Sequence, residues 1–175
     1  DAAETENVSV AYDERDLKKK GQHKINGYAI SDNYETVDLF ITLYANTTEI
    51  RTIPKSEVDT ASKMITNFFR RAVYNDYVNE IAESSEIFEF ANTLANYAEL
   101  RENLIRVNTF ILTNGTYKGE LPASQVICGY NIYYKVIDVE YLYKISEQAG
   151  VPIELDFENL DGHKYEIPCL AANLS

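Results

Sequence analysis

From Ile25 onward, apolar and polar positions fall into short regular runs. In "TVDLFITLYA", Val37, Leu39, Ile41 and Leu43 alternate with Asp38, Phe40, Thr42 and Tyr44, so one face is strongly apolar and the other mixed. "INGYAI" precedes it across "SDNYE", whose Ser, Asp and Asn favour a turn, and the whole predicts a β-hairpin from Ile25 to Asn46. Pro54 closes this region. Ser56 is placed to cap a helix, with Asp59 as a weaker stand-in for the usual capping Glu. Val58, Ala61, Ile65, Phe68 and Ala72 then recur at helical spacing and predict one buried stripe. Ile87, Phe90, Leu94 and Tyr97 form a second such stripe, capped by Ser84 or Ser85.

"LIRVNTFILTNG" reads as a strand ending in Asn114-Gly115, a pair that favours the positive φ angles of a tight turn. After a loop with Pro122 comes the strand "YNIYYKVID". Asp138 can then cap a helix with the stripe Val139, Leu142, Ile145 and Ala149, ended by Gly150 and Pro152. "PIELDF" and "KYEIPCLA" predict a C-terminal β-hairpin. Strands interleaved with helices give an α/β (α+β) fold, a mixed β-sheet flanked by helices. Residues 1–24 read as a polar N-terminal tail with one β-like fragment, "NVSVAY", and residues 25–175 as a single α/β domain.

The 175 residues suffice for one substantial core. With 45% apolar residues and no run of the ~18–20 needed to span a bilayer, no membrane partner is expected and the location is cytoplasmic. The opening "DAAETENVSV" lacks a signal pattern and an initiator Met, so a piece of a longer protein is expected. The net charge of −12, from 16 basic and 28 acidic residues, repels phosphate backbones. The one dense basic cluster, "DLKKKGQHK" (Asp16 to Lys24), reads as a solvated linker, which makes nucleic acid a weak partner for this chain alone. Cys128 and Cys169 are far apart and read as free thiols, and with His23 and His163 they make no zinc set. Tyr130, Tyr133, Tyr134, Tyr141 and Tyr143 read as the rim of a core, since no arginine is interleaved with them. Cys128, beside Gly129, falls in a loop or strand start.

Several segments together point to a family. "KINGYAISDNYETVDLFITLYAN", the helix start "PKSEV", "NFFRRA", "RVNTFILTNG" and "YNIYYKVIDVEYLYKI" resemble the N-terminal domain of abortive infection phage resistance (AIPR) proteins, over most of Lys24 to Ser175. The resemblance implies a bacterial phage-defence setting and a fold similar to a restriction-endonuclease-like, PD-(D/E)XK core. It also implies a larger C-terminal region of the same protein, which, or another protein, is the expected partner. In such nucleases an acid on one hairpin strand and a Glu/Gln-x-Lys on the next converge on Mg²⁺ or Mn²⁺, which activates water at the scissile phosphate.

Carried onto this chain, that set is incomplete. Asn26 stands where the first acid is implied, and a neutral amide is a poor ligand for a hard cation. Thr42 and Tyr44, or Ile41 and Leu43, occupy the Glu/Gln-x-Lys pair. Asp38 begins its strand, Asp32 and Glu35 fall in the turn, and the literal acid-x-Lys of Asp16 and Lys18 sits in a segment that does not read as a strand. The expectation is therefore a catalytically degenerate nuclease-like scaffold or recognition module without cofactor, with Asp38 the weak candidate for a metal. One alternative is an active Mg²⁺- or Mn²⁺-dependent nuclease with a migrated site on Asp38, Asp32 or Glu49. The other is an unrelated protein-binding α/β domain. Without a metal, Asp38 reads as a surface carboxylate on a half-exposed strand face, Asp138 as a helix cap, and Glu140 and Glu147 as solvated.

Overall fold

The computed structural model describes residues 8–17, 21–74 and 77–149. Six strands form one mixed sheet: β1 (Ser9–Leu17), β2 (Gly21–Ile30), β3 (Thr36–Leu43), β4 (Arg106–Thr113), β5 (Gln125–Ile127) and β6 (Tyr130–Ile137), in the order β1-β2-β3-β4-β6-β5. β1, β2 and β3 are an antiparallel meander, β4 lies parallel to β3, β6 parallel to β4, and β5 returns antiparallel on β6. The parallel step needs a long crossover. It is supplied by α1 (Lys55–Val73), α2 (Phe88–Asn96) and α3 (Ala98–Asn103); α4 (Val139–Ala149) follows β6.

The period-two pattern decides what each face meets. Val37, Leu39 and Ile41 of β3, Val107 and Ile111 of β4, and Ile132 and Tyr134 of β6 pack with Val58, Ala61, Ile65, Phe68 and Phe69 of α1 and with α2. The opposite face is smaller, with Ala29, Phe40, Leu112 and Ile137 meeting Leu142 of α4. Both faces are thus covered by helix, and seven of the eight residues of β3 are buried. The α/β expectation of a mixed sheet flanked by helices holds, with the hairpin inside the sheet. The expected C-terminal hairpin falls outside the described residues.

The polar tail is corrected, although the β-like fragment expected in it at "NVSVAY" does fall in a strand from Ser9 on. Residues 9–17 are the edge strand β1, and 21–24, read as linker, begin β2. Edge strands carry charges on their solvent side, and here an inward position is held by Asp13 rather than by an apolar residue, so the alternation is hidden. Asp16 pairs with Gln22 in this ladder and therefore does lie on a strand, whereas Lys18 is outside the described residues.

Three local expectations also change. α1 starts one residue after Pro54, whose φ of −70° suits the entry, and no side chain caps it; Ser56 lies inside the first turn. The second stripe breaks at Tyr97, where α2 gives way to α3, leaving Tyr97 exposed while Ile87, Phe90 and Leu94 are buried. Neither Asn114 nor Gly115 has positive φ. Gly115 is needed for close approach, because a Cβ there would lie 2.4 Å from the Arg51 carbonyl oxygen, beside the Thr52–Thr116 bridge. The positive-φ pair is instead Cys128 and Gly129, at 54° and 86°, the two-residue turn joining β5 to β6.

Candidate functional site

The hairpin places Asn26 and Thr42 together. The β2–β3 ladder ends at Gly27 and Phe40, where the register of β2 against β1 also shifts, three steps of β1 from Val10 to Asp13 facing two of β2 from Gly27 to Ile25. The next N–H of β3 on that side, Thr42, would lose its partner. Asn26 supplies one, its Oδ1 accepting the Thr42 N–H at 3.0 Å with both residues buried. A side-chain amide thus extends the sheet by one rung, and a buried N–H left bare would be costly.

Asp38 lies elsewhere on the same strand. Four residues at ~3.3 Å each separate it from Thr42 by roughly 13 Å. It is 2% exposed, which corrects its reading as a surface carboxylate: β3 is flanked on both sides and covered on both faces. Its register partner on β4 is Asn108, whose Nδ2 donates to Asp38 Oδ1 at 2.9 Å. Tyr44 is half-buried and packs against the smaller core cluster. Asp32, Glu35 and Glu49 are exposed. Among the described residues no group of three His, Cys, Asp or Glu side chains is placed to hold a metal ion.

A second polar cluster was not anticipated from the sequence. His23 of β2 is fully buried, and its Nε2 lies 2.7 Å from Asp13 Oδ2 of β1. Arg71 of α1 donates through Nη1 to His23 Nδ1 at 3.0 Å and through Nη2 to Glu80 at 2.8 Å. A guanidinium can only donate, so Nδ1 must accept and Nε2 carries the proton toward Asp13. The Tyr77 hydroxyl donates to the same Asp13 oxygen, and the Arg71 guanidinium stacks on the Tyr77 ring at 4.7 Å. Burial alone would raise the Asp13 carboxyl. The hydrogen bonds from His23 and Tyr77, with the nearby Arg15, outweigh it and hold Asp13 below its ordinary value of 3.8. Burial, followed by the bond to Asp13, raises the Tyr77 phenol well above its usual range. Both imidazole nitrogens are thus engaged by described residues, Nε2 by Asp13 and Nδ1 by Arg71. The cluster ties β1, β2, α1 and the segment after α1 together.

Past the ends of the parallel strands, Asp138 does cap α4, accepting the Tyr141 N–H at 2.9 Å, and its other oxygen accepts the Tyr117 N–H. Glu140 is exposed and pairs with Lys118; Glu147 is exposed. The tyrosines divide. Tyr134 is buried with its hydroxyl 2.5 Å from Thr66 Oγ1, whereas Tyr133 carries the Arg106 guanidinium at 4.1 Å and Tyr141 the Lys135 ammonium at 4.4 Å. The basic partner of Tyr133 comes from the neighbouring strand β4, and that of Tyr141 from the end of β6, six residues earlier in the chain. Cys128 is partly buried and unbridged; Cys169 and His163 are outside the described residues.

Among the described residues no helix is long and apolar enough to cross a membrane. The family model of the abortive infection phage resistance protein N-terminal domain matches residues 1–144. The chain belongs to this family, which makes it part of a phage-defence protein, and the reading as a domain unrelated to the family falls. The match also includes residues 1–24, in keeping with β1 being part of the fold. No curated protein and no solved structure matches the chain.

Proposed function

We propose that this domain is a catalytically degenerate, nuclease-like scaffold or recognition module of its phage-defence protein, acting with the rest of a longer chain or with another protein. The observation that carries this reading is the Asn26–Thr42 bond: the side chain standing at the implied first acid is spent on a backbone N–H. The nuclease-like half is supported by the sheet, in which the hairpin is interior, β4 runs parallel to β3 and helices cover both faces. The degenerate half is supported by the donors. Asp38 lies about four strand positions from Thr42 and is bonded to the neutral Asn108, while Asp32 and Glu49 are exposed in separate loops. A hard dication needs several convergent oxygen ligands, carboxylates above all.

The test is a cleavage assay on single-stranded DNA, duplex DNA and RNA with Mg²⁺ or Mn²⁺. No cutting above the metal-only background is expected. Metal-dependent cutting that Asp38→Ala abolishes would overturn the proposal in favour of a migrated site.

A further inference from the structure

At the turn end of the β2–β3 hairpin, away from Asn26 and Thr42, a cavity of about 420 Å³ opens between the turn and α2. Its walls are aromatic. Tyr28 stacks on Phe90 at 3.9 Å between centroids, and Tyr34 meets Tyr97 edge-on at 5.2 Å. The turn that carries Tyr34 is closely tied. Ser31 N–H donates to the Thr36 carbonyl, Tyr34 N–H to the Ser31 carbonyl and Thr36 N–H to Ser31 Oγ, at 3.0, 2.9 and 2.9 Å. This holds Tyr34 at a φ of 59°, a region bulky side chains seldom occupy, and sets its ring against Tyr97.

The rim is acidic. Asp32 and Glu89 line the same cavity, and no Lys, Arg or His does. Neither carboxylate has a hydrogen-bond or ion-pair partner among the described residues. Some exposed carboxylates of this chain do find partners, as Glu57 does with Arg51 and Asp59 with Lys55, while others such as Glu35 and Glu49 face solvent. What sets Asp32 and Glu89 apart is that they share one cavity with four aromatic rings. Aromatic ring faces carry partial negative charge, so the walls and the two carboxylates favour the same ligand, an organic cation. The net charge of −12 would draw such a group in.

We propose that this cavity binds an alkylammonium or guanidinium group, the head of a lysine or arginine side chain or a small amine of the same chemistry. The rings take the place of its hydration, and Asp32 and Glu89 balance its charge. The proposal goes beyond the scaffold reading and stands apart from it, since none of the residues involved belongs to the Asn26–Asp38–Thr42 set.

The experiment is an NMR titration of the whole chain with choline, with an acetylated lysine amide, with an acetylated arginine amide, with spermidine, and with the uncharged carbon isostere of choline. At least one cation should shift the resonances of Tyr34 and Tyr97 saturably, and the isostere should not. Asp32→Asn with Glu89→Gln, at two exposed positions, should weaken binding by about tenfold or more. Tyr97→Leu should weaken it too, while Tyr97→Phe keeps it. Tighter binding of an amino-acid amide than of spermidine points to a protein side chain and the reverse to a free amine, and both support the site. No saturable shift with any cation, an equal response to the isostere, or full binding by the double variant would overturn it.

Discussion

The side-chain oxygen of Asn26 lies 3.0 Å from the backbone nitrogen of Thr42 and continues the β2–β3 pairing where the ladder itself stops. The position where a metal-binding acid is implied is thus filled by a structural hydrogen bond. Removing it should be felt as stability. Asn26→Ala is expected to cost roughly 1–3 kcal/mol, the usual penalty for a buried N–H left without its acceptor. Urea unfolding of the two proteins measures this directly; an unchanged midpoint would show that the bond carries no weight.

Gly115 is fixed by crowding. A Cβ at that position would stand 2.4 Å from the Arg51 carbonyl oxygen and 2.7 Å from an Ile53 side-chain carbon, so Gly115→Ala must push apart the segments joined at Thr52 and Thr116. Overpacking of this kind costs about 1–3 kcal/mol. Thermal unfolding should show the loss, and an unaltered melting temperature would mean that the two segments are free to separate.

The acid limb of stability should carry the signature of Asp13. Its carboxyl is held below 3.8 in the fold, so between the folded and unfolded values the unfolded chain binds more protons and stability rises with pH. The contribution is complete above about pH 4 and is lost as pH falls through the folded value. Asp13→Asn should flatten this part of the stability–pH curve; a parallel curve would remove Asp13 as its source. Tyr77→Phe is predicted to lessen the same slope, because its hydroxyl is one of the donors holding Asp13 ionised.

The interior of the sheet was legible because its signals are local. Alternation in β3 and β4 and the Val58–Ala72 stripe each declare a buried face within one run of residues. What was not legible depends on contacts between distant segments. The second half of β1 hides because Asp13 takes an inward position and is satisfied by His23 and Tyr77, one on the next strand and the other beyond α1. Asp38 read as exposed because its cover and its Asn108 partner come from elsewhere in the chain. The pairing of Arg106 with Tyr133 is likewise made between separate strands, whereas Lys135 stands among the tyrosines themselves, six residues before Tyr141. The sequence's hint of the Asp13–His23 cluster was His23 in the run read as a solvated linker, with Asp13 ahead of it in the polar tail.

If Asn26, Asp38 and Thr42 serve the sheet rather than a metal, as proposed, Mn²⁺ uptake should not depend on Asp38. Titration of the wild-type chain and of Asp38→Asn, followed by electron paramagnetic resonance of free Mn²⁺, should give the same weak, unsaturated uptake for both proteins. Stoichiometric uptake by the wild type that Asp38→Asn eliminates would put a metal on Asp38 and end the degenerate-site proposal.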